Sequence, residues 1–176
     1  MEESSTDELE HELVRGWLIK AHHDLATANK LAAGPDSYLD TAIYHCQQAA
    51  EKSVKGFLTF HGQRVVRTHD VRYLLTLAIP FDESLSACLE SAERVTPYAT
   101  AYRYPDEILE PEEEEFEAAL AAAEEICACV LSALPKEVHP TRSEPHSQDE
   151  TLEDEIGNEG VNSDMREAGG DTEETP

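Results

Sequence analysis

The longest regular pattern of apolar and polar positions in this chain lies between residues 39 and 57. Its apolar positions recur at steps of three or four residues, which is the period of a helix with one buried face. The apolar stripe consists of Leu39, Ile43, Cys46, Ala50, Val54 and Phe57, and the opposite, polar stripe of His45, Gln48, Glu51, Lys52 and Lys55. The pattern predicts a long two-faced helix whose polar stripe has no need to be buried. Gly62 is the left-handed residue that we expect to end it.

Comparable helical patterns precede and follow this segment. An apolar stripe at residues 14–32 predicts a first long helix that Ser5 or Thr6 can cap, and one at residues 116–134 predicts a last long helix that opens at Glu110-Pro111. Shorter apolar runs between residues 68 and 102 predict short helices. No segment shows a convincing alternation with the period of two residues that is typical of a strand. The sequence therefore predicts an all-α protein. The simplest architecture is an antiparallel up-down bundle of the four-helix type with an extra short helix.

The helical pattern stops near Leu134, and the composition changes at the same point. From Lys136 onward, 13 acidic residues stand against three basic ones, and apolar residues are scattered. Such a segment cannot bury enough apolar surface to offset its ordering entropy. We therefore expect a helical domain over residues 7–134 and a disordered acidic tail over residues 135–176.

The net charge of -25 would argue against a nucleic-acid-binding protein, but the charge is unevenly distributed. Between Arg15 and Tyr104, ten basic residues nearly balance nine acidic ones. Asp70 is the one acid among a cluster of bases made of Lys52, Lys55, Arg64, Arg67 and Arg72. Phosphates of RNA or of a nucleotide are natural ligands of such a cluster. Alternatively, these bases balance Asp24, Glu51, Asp70 and the acidic last helix.

Asp24 lies at the edge of the apolar stripe of the first helix. It could form a surface pair with Lys20, four residues earlier on the same helix. It could instead be a partly buried carboxylate that meets a cation of the second helix. The sequence leaves both possibilities open.

The remaining composition narrows the class of protein. Four cysteines lie in helical patterns rather than in a loop-rich framework, which favours a cytosolic chain with reduced thiols. No apolar run approaches the ~20 residues that a membrane span needs. A Gly-rich phosphate loop, a paired-Asp nucleotidyl-transfer motif and a zinc-ligand spacing are absent. We therefore expect no cofactor and no metal, and the sequence does not favour a self-sufficient transferase.

Four segments together resemble the HEPN family, small helical domains found beside nucleotidyltransferases and in several ribonucleases. The resemblance covers residues 13–131 and depends on the order of the segments. They are Ala21-His-His-Asp24-Leu25 followed by Ala28, His45-Cys-Gln47-Gln48-Ala49-Ala50-Glu51-Lys52, Thr68-His69-Asp70, and Tyr102-Arg103-Tyr104-Pro105. The resemblance implies a homodimer that binds RNA or a nucleotide, with a separate minimal nucleotidyltransferase as a partner, as in toxin–antitoxin pairs. A purely structural dimerisation module is a further alternative.

The resemblance also implies a candidate catalytic pair, Arg64 and His69. In ribonucleases of the HEPN family, an Arg followed four to six residues later by a His is the catalytic pair, commonly assembled across a homodimer and independent of metal. His can act as acid or base near neutral pH, and Arg binds phosphate oxygens. Val65 follows Arg64, where those enzymes usually have a polar residue. Binding without cleavage therefore remains an alternative.

Further residues extend this candidate site. The candidate nucleotide- or RNA-binding residues are Lys52, Lys55, Arg67, Asp70, Arg103 and Tyr104. Tyr98 and Tyr102 could also stack on bases, although their spacing of four residues is equally typical of core or interface positions. Thr68 is the expected N-cap of the third helix, which would place His69 in its first turn, either beside a phosphate or simply packed at the bundle end.

Overall fold

The computed structural model describes residues 3–102 and 110–140, with side chains from residue 8 onward. Within these ranges the chain is helical and contains no strand, which confirms the predicted all-α class. The α-helices there are α1 (Glu3–Ala32), α2 (Leu39–Phe60), α3 (Val71–Ala78), α4 (Leu89–Val95) and α5 (Glu113–Ala133). Short 3-10 helices span Glu83–Cys88, Thr96–Ala99 and Lys136–Val138. None of the described helices is both long and apolar enough to cross a membrane.

Helix α2 is the centre of the bundle and packs against α1, α3 and α5. The predicted apolar stripe faces these neighbours, because Ile43, Cys46, Ala50, Val54 and Phe57 are all fully buried. The helical period of the sequence therefore placed the buried face of α2 correctly.

Helices α1 and α2 are joined by the short loop 33–38 and run antiparallel. His11, in the first half of α1, stacks on Phe60 at the end of α2, with ring centroids 6.0 Å apart. Gly56 allows the two helices to approach closely, because a Cβ atom there would lie only 3.1 Å from Cβ of Trp17.

Helix α2 ends in the glycine turn that the sequence predicts. Gly62 has a φ of 64°, in the left-handed region. Its N–H donates to the carbonyl of Thr59 at 2.9 Å, and the N–H of Gln63 donates to the carbonyl of Leu58 at 2.9 Å. This is the Schellman pattern, which satisfies the last carbonyls of the helix and turns the chain sharply.

After that turn, the loop 61–70 carries the chain back along α2, so that α3 runs parallel to α2. At one end of α3, His69 lies against Glu51 of α2. At the other end, the ring of Phe81 stacks on His61, with ring centroids 4.6 Å apart. The loop therefore spans the same length of the bundle as α3 does.

The packed structure reaches beyond the boundary that the sequence predicts near Leu134. Val138 is fully buried, and Nε of Arg15 donates to the carbonyl of Glu137 at 3.2 Å. The short helix after Pro135 thus folds back onto α1. The rest of the predicted tail, from residue 141, lies outside the described residues.

Candidate functional site

The loop 61–70 carries both residues of the predicted catalytic pair. Arg64 and Arg67 are exposed, and no described residue forms an ion pair or a hydrogen bond with either guanidinium group. Arg72, in contrast, pairs with Glu93 at 2.5 Å. The loop therefore presents two uncompensated positive charges on an otherwise acidic chain.

His69 lies at the end of this loop, and the Nδ1 side of its ring is held by Glu51. Its Nδ1 lies 3.1 Å from Oε2 of Glu51, and its carbonyl accepts a hydrogen bond of 2.9 Å from Nε2 of Gln47. The side chain is nevertheless 68% exposed. Nε2 of His69 has no hydrogen-bond partner within the described ranges, so the ring is oriented but still available to a ligand.

Glu51 is the buried carboxylate that anchors His69. Its Oε1 accepts from Nζ of Lys55 at 2.7 Å, and its Oε2 accepts from Nε2 of Gln47 at 2.9 Å. Burial raises the pKa of Glu51, but the hydrogen bonds from Lys55, Gln47 and His69 outweigh burial and hold the pKa below its usual 4.5. Glu51 is therefore ionised at neutral pH.

The expectation that the polar stripe of α2 has no need to be buried is wrong at two positions. Glu51 is only 4% exposed and Lys55 only 8% exposed, because neighbouring parts of the chain, including His69 of the loop 61–70, cover this face. Lys55 neutralises Glu51, which agrees, for this base, with the alternative that the basic residues balance nearby acids. The sequence signal for this buried cluster was the spacing of four residues that separates Gln47, Glu51 and Lys55.

Asp24 of α1 forms a second buried anchor. It is 7% exposed, its Oδ2 accepts a hydrogen bond from Nζ of Lys52, and its Oδ1 lies 2.9 Å from Nδ1 of His45. The interpretation of Asp24 as a buried carboxylate that meets a cation of the second helix is therefore confirmed, whereas Lys20 is exposed. Because the side chain of Lys52 is 24% exposed, its remaining donors can reach solvent or a ligand.

The two anchors share one arrangement. In each, a buried carboxylate places one oxygen at Nδ1 of a His and the other at Nζ of a Lys. They differ in exposure, because the side chain of His45 is 25% exposed and that of His69 is 68% exposed. His45 is therefore a natural internal comparison for His69.

Asp70, rather than Thr68, is the N-cap of α3. Oδ1 of Asp70 accepts from the N–H of Tyr73 at 2.8 Å, and Oγ1 of Thr68 accepts from the N–H of Asp70 at 3.2 Å. The prediction of Thr68 as the cap is thus wrong by two residues. As a result, His69 precedes α3 instead of lying in its first turn.

The tyrosines proposed for stacking are engaged within the fold. The hydroxyl groups of Tyr98 and Tyr102 donate to Oε1 of Glu115 at 2.9 Å and 3.1 Å, and their rings stack with centroids 6.3 Å apart. Tyr98 is buried, which favours the interpretation that it packs in the core over the one that it stacks on bases. Arg103 and Tyr104 lie outside the described residues.

Comparisons with known proteins agree on one family. Residues 14–134 match the family model of the HEPN domain. The structure of TT1696 from Thermus thermophilus is similar with a TM-score of 0.60 and 33% identity, over 69% of this chain and 98% of that one. ST0689, an archaeal HEPN homologue, is similar with a TM-score of 0.52 and 27% identity, over 68% of this chain and 95% of that one. No curated protein matches the chain.

Proposed function

Because this chain belongs to the HEPN domain family, we propose that it binds phosphate groups of RNA or of a nucleotide through the loop 61–70. It acts as a homodimer and works with a separate small nucleotidyltransferase. The observation that carries the proposal is the exposure of Arg64 and Arg67 without a counter-ion among the described residues. A guanidinium group in that state offers planar, permanently charged donors that fit phosphate oxygens.

The charge distribution around the loop supports the same ligand. The first turn of α5 carries the exposed acids Glu113 and Glu114, and the first half of α1 carries the exposed acids Glu8 and Glu10. These faces repel a polyanion, whereas the loop attracts it. Among the described residues, the loop is thus favoured over these two faces as the place where phosphate binds.

Titration of a labelled single-stranded RNA, followed by fluorescence anisotropy at several salt concentrations, tests this proposal. Arg64→Ala and Arg67→Ala should each weaken binding roughly fivefold at low salt, since an exposed charged contact is worth about 1 kcal/mol. Each should also reduce the slope of log K against log salt by about one. Lys30→Ala, an exposed charge near the opposite end of α2, is the control. Equal losses in all three variants, or no loss in either arginine variant, would contradict the proposal.

A second candidate function, metal-independent cleavage of RNA, is favoured by the orientation of His69. Glu51 holds Nδ1, which leaves Nε2 of an exposed ring to accept a proton from the ribose 2′-hydroxyl. The 2′-oxygen then bonds to phosphorus, and the bond from phosphorus to the 5′-oxygen breaks. Arg64 binds the non-bridging oxygens, and the second His69 of a homodimer protonates the leaving 5′-oxygen. The products are a 2′,3′-cyclic phosphate and a 5′-hydroxyl.

Incubation of the protein with labelled RNA in EDTA tests cleavage separately from binding. His69→Ala should abolish product and leave binding nearly intact, whereas His45→Ala, which alters the less exposed His–carboxylate–Lys arrangement, should keep both. Glu51→Gln also removes the counter-ion of the buried Lys55, so it is assayed at a temperature where circular dichroism shows it folded. There it should lower kcat while KM stays close to its original value, because Glu51 positions His69 without touching RNA. Cleavage that persists in His69→Ala would refute this function, and loss of binding together with cleavage would indicate a structural role for His69.

A further inference from the structure

Phe81 is a large aromatic side chain that the fold leaves 42% exposed. It lies in the turn directly after α3, next to Pro80. One face of its ring stacks on His61, with ring centroids 4.6 Å apart and ring planes inclined by 20°. Much of the remaining ring surface is open to solvent.

The ring beneath Phe81 is held in place and is uncharged at neutral pH. His61 contacts Phe57 at a centroid distance of 4.5 Å and Phe60 at 5.2 Å. Burial lowers the pKa of His61, although the nearby carboxylate of Asp82 acts in the opposite direction. His61 and Phe81 therefore form a two-ring stack on a rigid aromatic base.

This stack lies at one end of the loop that carries the two unpaired arginines. The loop begins at His61 and ends beside Glu51, where His69 is held. Because α3 has eight residues, these two ends are separated by roughly 12 Å or slightly more. Arg64 and Arg67 lie on the segment between them.

We infer that the exposed surface of Phe81 stacks on a nucleobase, and that the ligand of the loop is single-stranded RNA. This inference rests on the function proposed above, because Arg64 and Arg67 would bind the phosphates of the same strand. Aromatic side chains stack on unpaired bases whatever their sequence. The bases of a duplex are already stacked on each other, and an RNA duplex is recognised through its shape and backbone instead. A mononucleotide offers its phosphates at one place only, whereas a strand can place a base on Phe81 and successive phosphates along the segment that carries Arg64 and Arg67.

The decisive experiment compares two RNA strands of equal length and charge, one of them with abasic sites, on the wild-type protein and on Phe81→Ala. The wild type should bind the intact strand more tightly than the abasic strand by about 5- to 150-fold. Phe81→Ala should bind both strands with the same weaker affinity and an unchanged salt slope, since no charge is removed. Phe81→Trp should restore the preference and Phe81→Leu should not. Tyr38→Ala, which removes an exposed aromatic ring at the other end of α2, should leave the preference unchanged.

The outcomes separate this inference from the function on which it rests. If the wild type binds RNA but Phe81→Ala keeps the full preference for intact bases, stacking on Phe81 is refuted and phosphate binding by the loop stands. If the wild type binds the intact and the abasic strand with equal affinity, stacking on Phe81 is likewise refuted and phosphate binding by the loop stands. If the wild type binds neither strand at low salt, both the inference and the proposed function are refuted.

Discussion

Removal of one partner of the buried pair formed by Glu51 and Lys55 should destabilise the protein strongly. Their side chains are only 6% and 9% exposed, and the ammonium nitrogen lies 2.7 Å from the carboxylate oxygen. In Glu51→Leu, the ammonium of Lys55 would remain in a covered site without a counter-ion. Breaking a buried pair in this way costs about 3–5 kcal/mol, which is a large part of the ~5–15 kcal/mol that stabilises a typical domain.

The paired substitution distinguishes this cause from a general loss of packing. Glu51→Leu combined with Lys55→Met removes both charges and keeps most of the apolar volume. Replacement of a whole buried pair by apolar residues is often neutral or stabilising, so the double variant should lie within about 2 kcal/mol of the wild type. The buried amide of Gln47 retains the carbonyl of His69 as a partner, which limits the remaining cost.

Urea unfolding followed by far-UV circular dichroism, at one fixed protein concentration, measures the four proteins of this cycle. Asp24→Ala is an informative companion, because Lys52 and His45 are each about a quarter exposed and can be hydrated. Its cost should be only about 1–2 kcal/mol. The reasoning is refuted if the double variant loses the full sum of the two single losses, since the charges would then act independently.

Three further predictions concern pH, capping and the boundary of the folded unit. The folded state holds the pKa of the Glu51 carboxyl below its usual 4.5. The stability that Glu51 contributes is therefore present above pH 4.5 and is lost as the pH falls through the folded-state pKa. Glu51→Gln should flatten the acid limb of a curve of unfolding free energy against pH. Asp70→Ala should destabilise the protein by about 0.5–2 kcal/mol in urea unfolding, and Asp70→Ser should restore most of this because it can still cap α3. A chain that ends after Pro140 should have the same melting temperature as the full chain. A chain that ends after Leu134 should melt at a lower temperature, because it loses the buried side chain of Val138, whose burial is worth about 1.5–3 kcal/mol.

The fold was predictable where the signal is local. The apolar stripe of α2 and the turn at Gly62 follow from helical period and from backbone stereochemistry, and both are confirmed. The start of α3 was not predictable in this way. Thr68 and Asp70 can both cap a helix, and only the loop that precedes them decides which one does.

The candidate site was predictable only in part, because its geometry depends on contacts between distant segments. Arg64 and His69 were identified from the resemblance to a family, and the structure adds that both are exposed. The sequence did not predict the burial of Glu51. A polar helix face is expected to contact solvent unless the segments that cover it are known. For Asp24, the sequence offered two partners, and the packing of α1 on α2 selected Lys52.

Chemical-shift mapping by NMR, in which a short single-stranded RNA is added to the isotope-labelled protein, tests the central claim most directly. The account predicts that the amide signals of residues 62–70 and of Phe81 shift together as RNA is added, while those of α5 do not. Shifts confined to α5, or no shifts at low salt, would contradict binding by the loop 61–70.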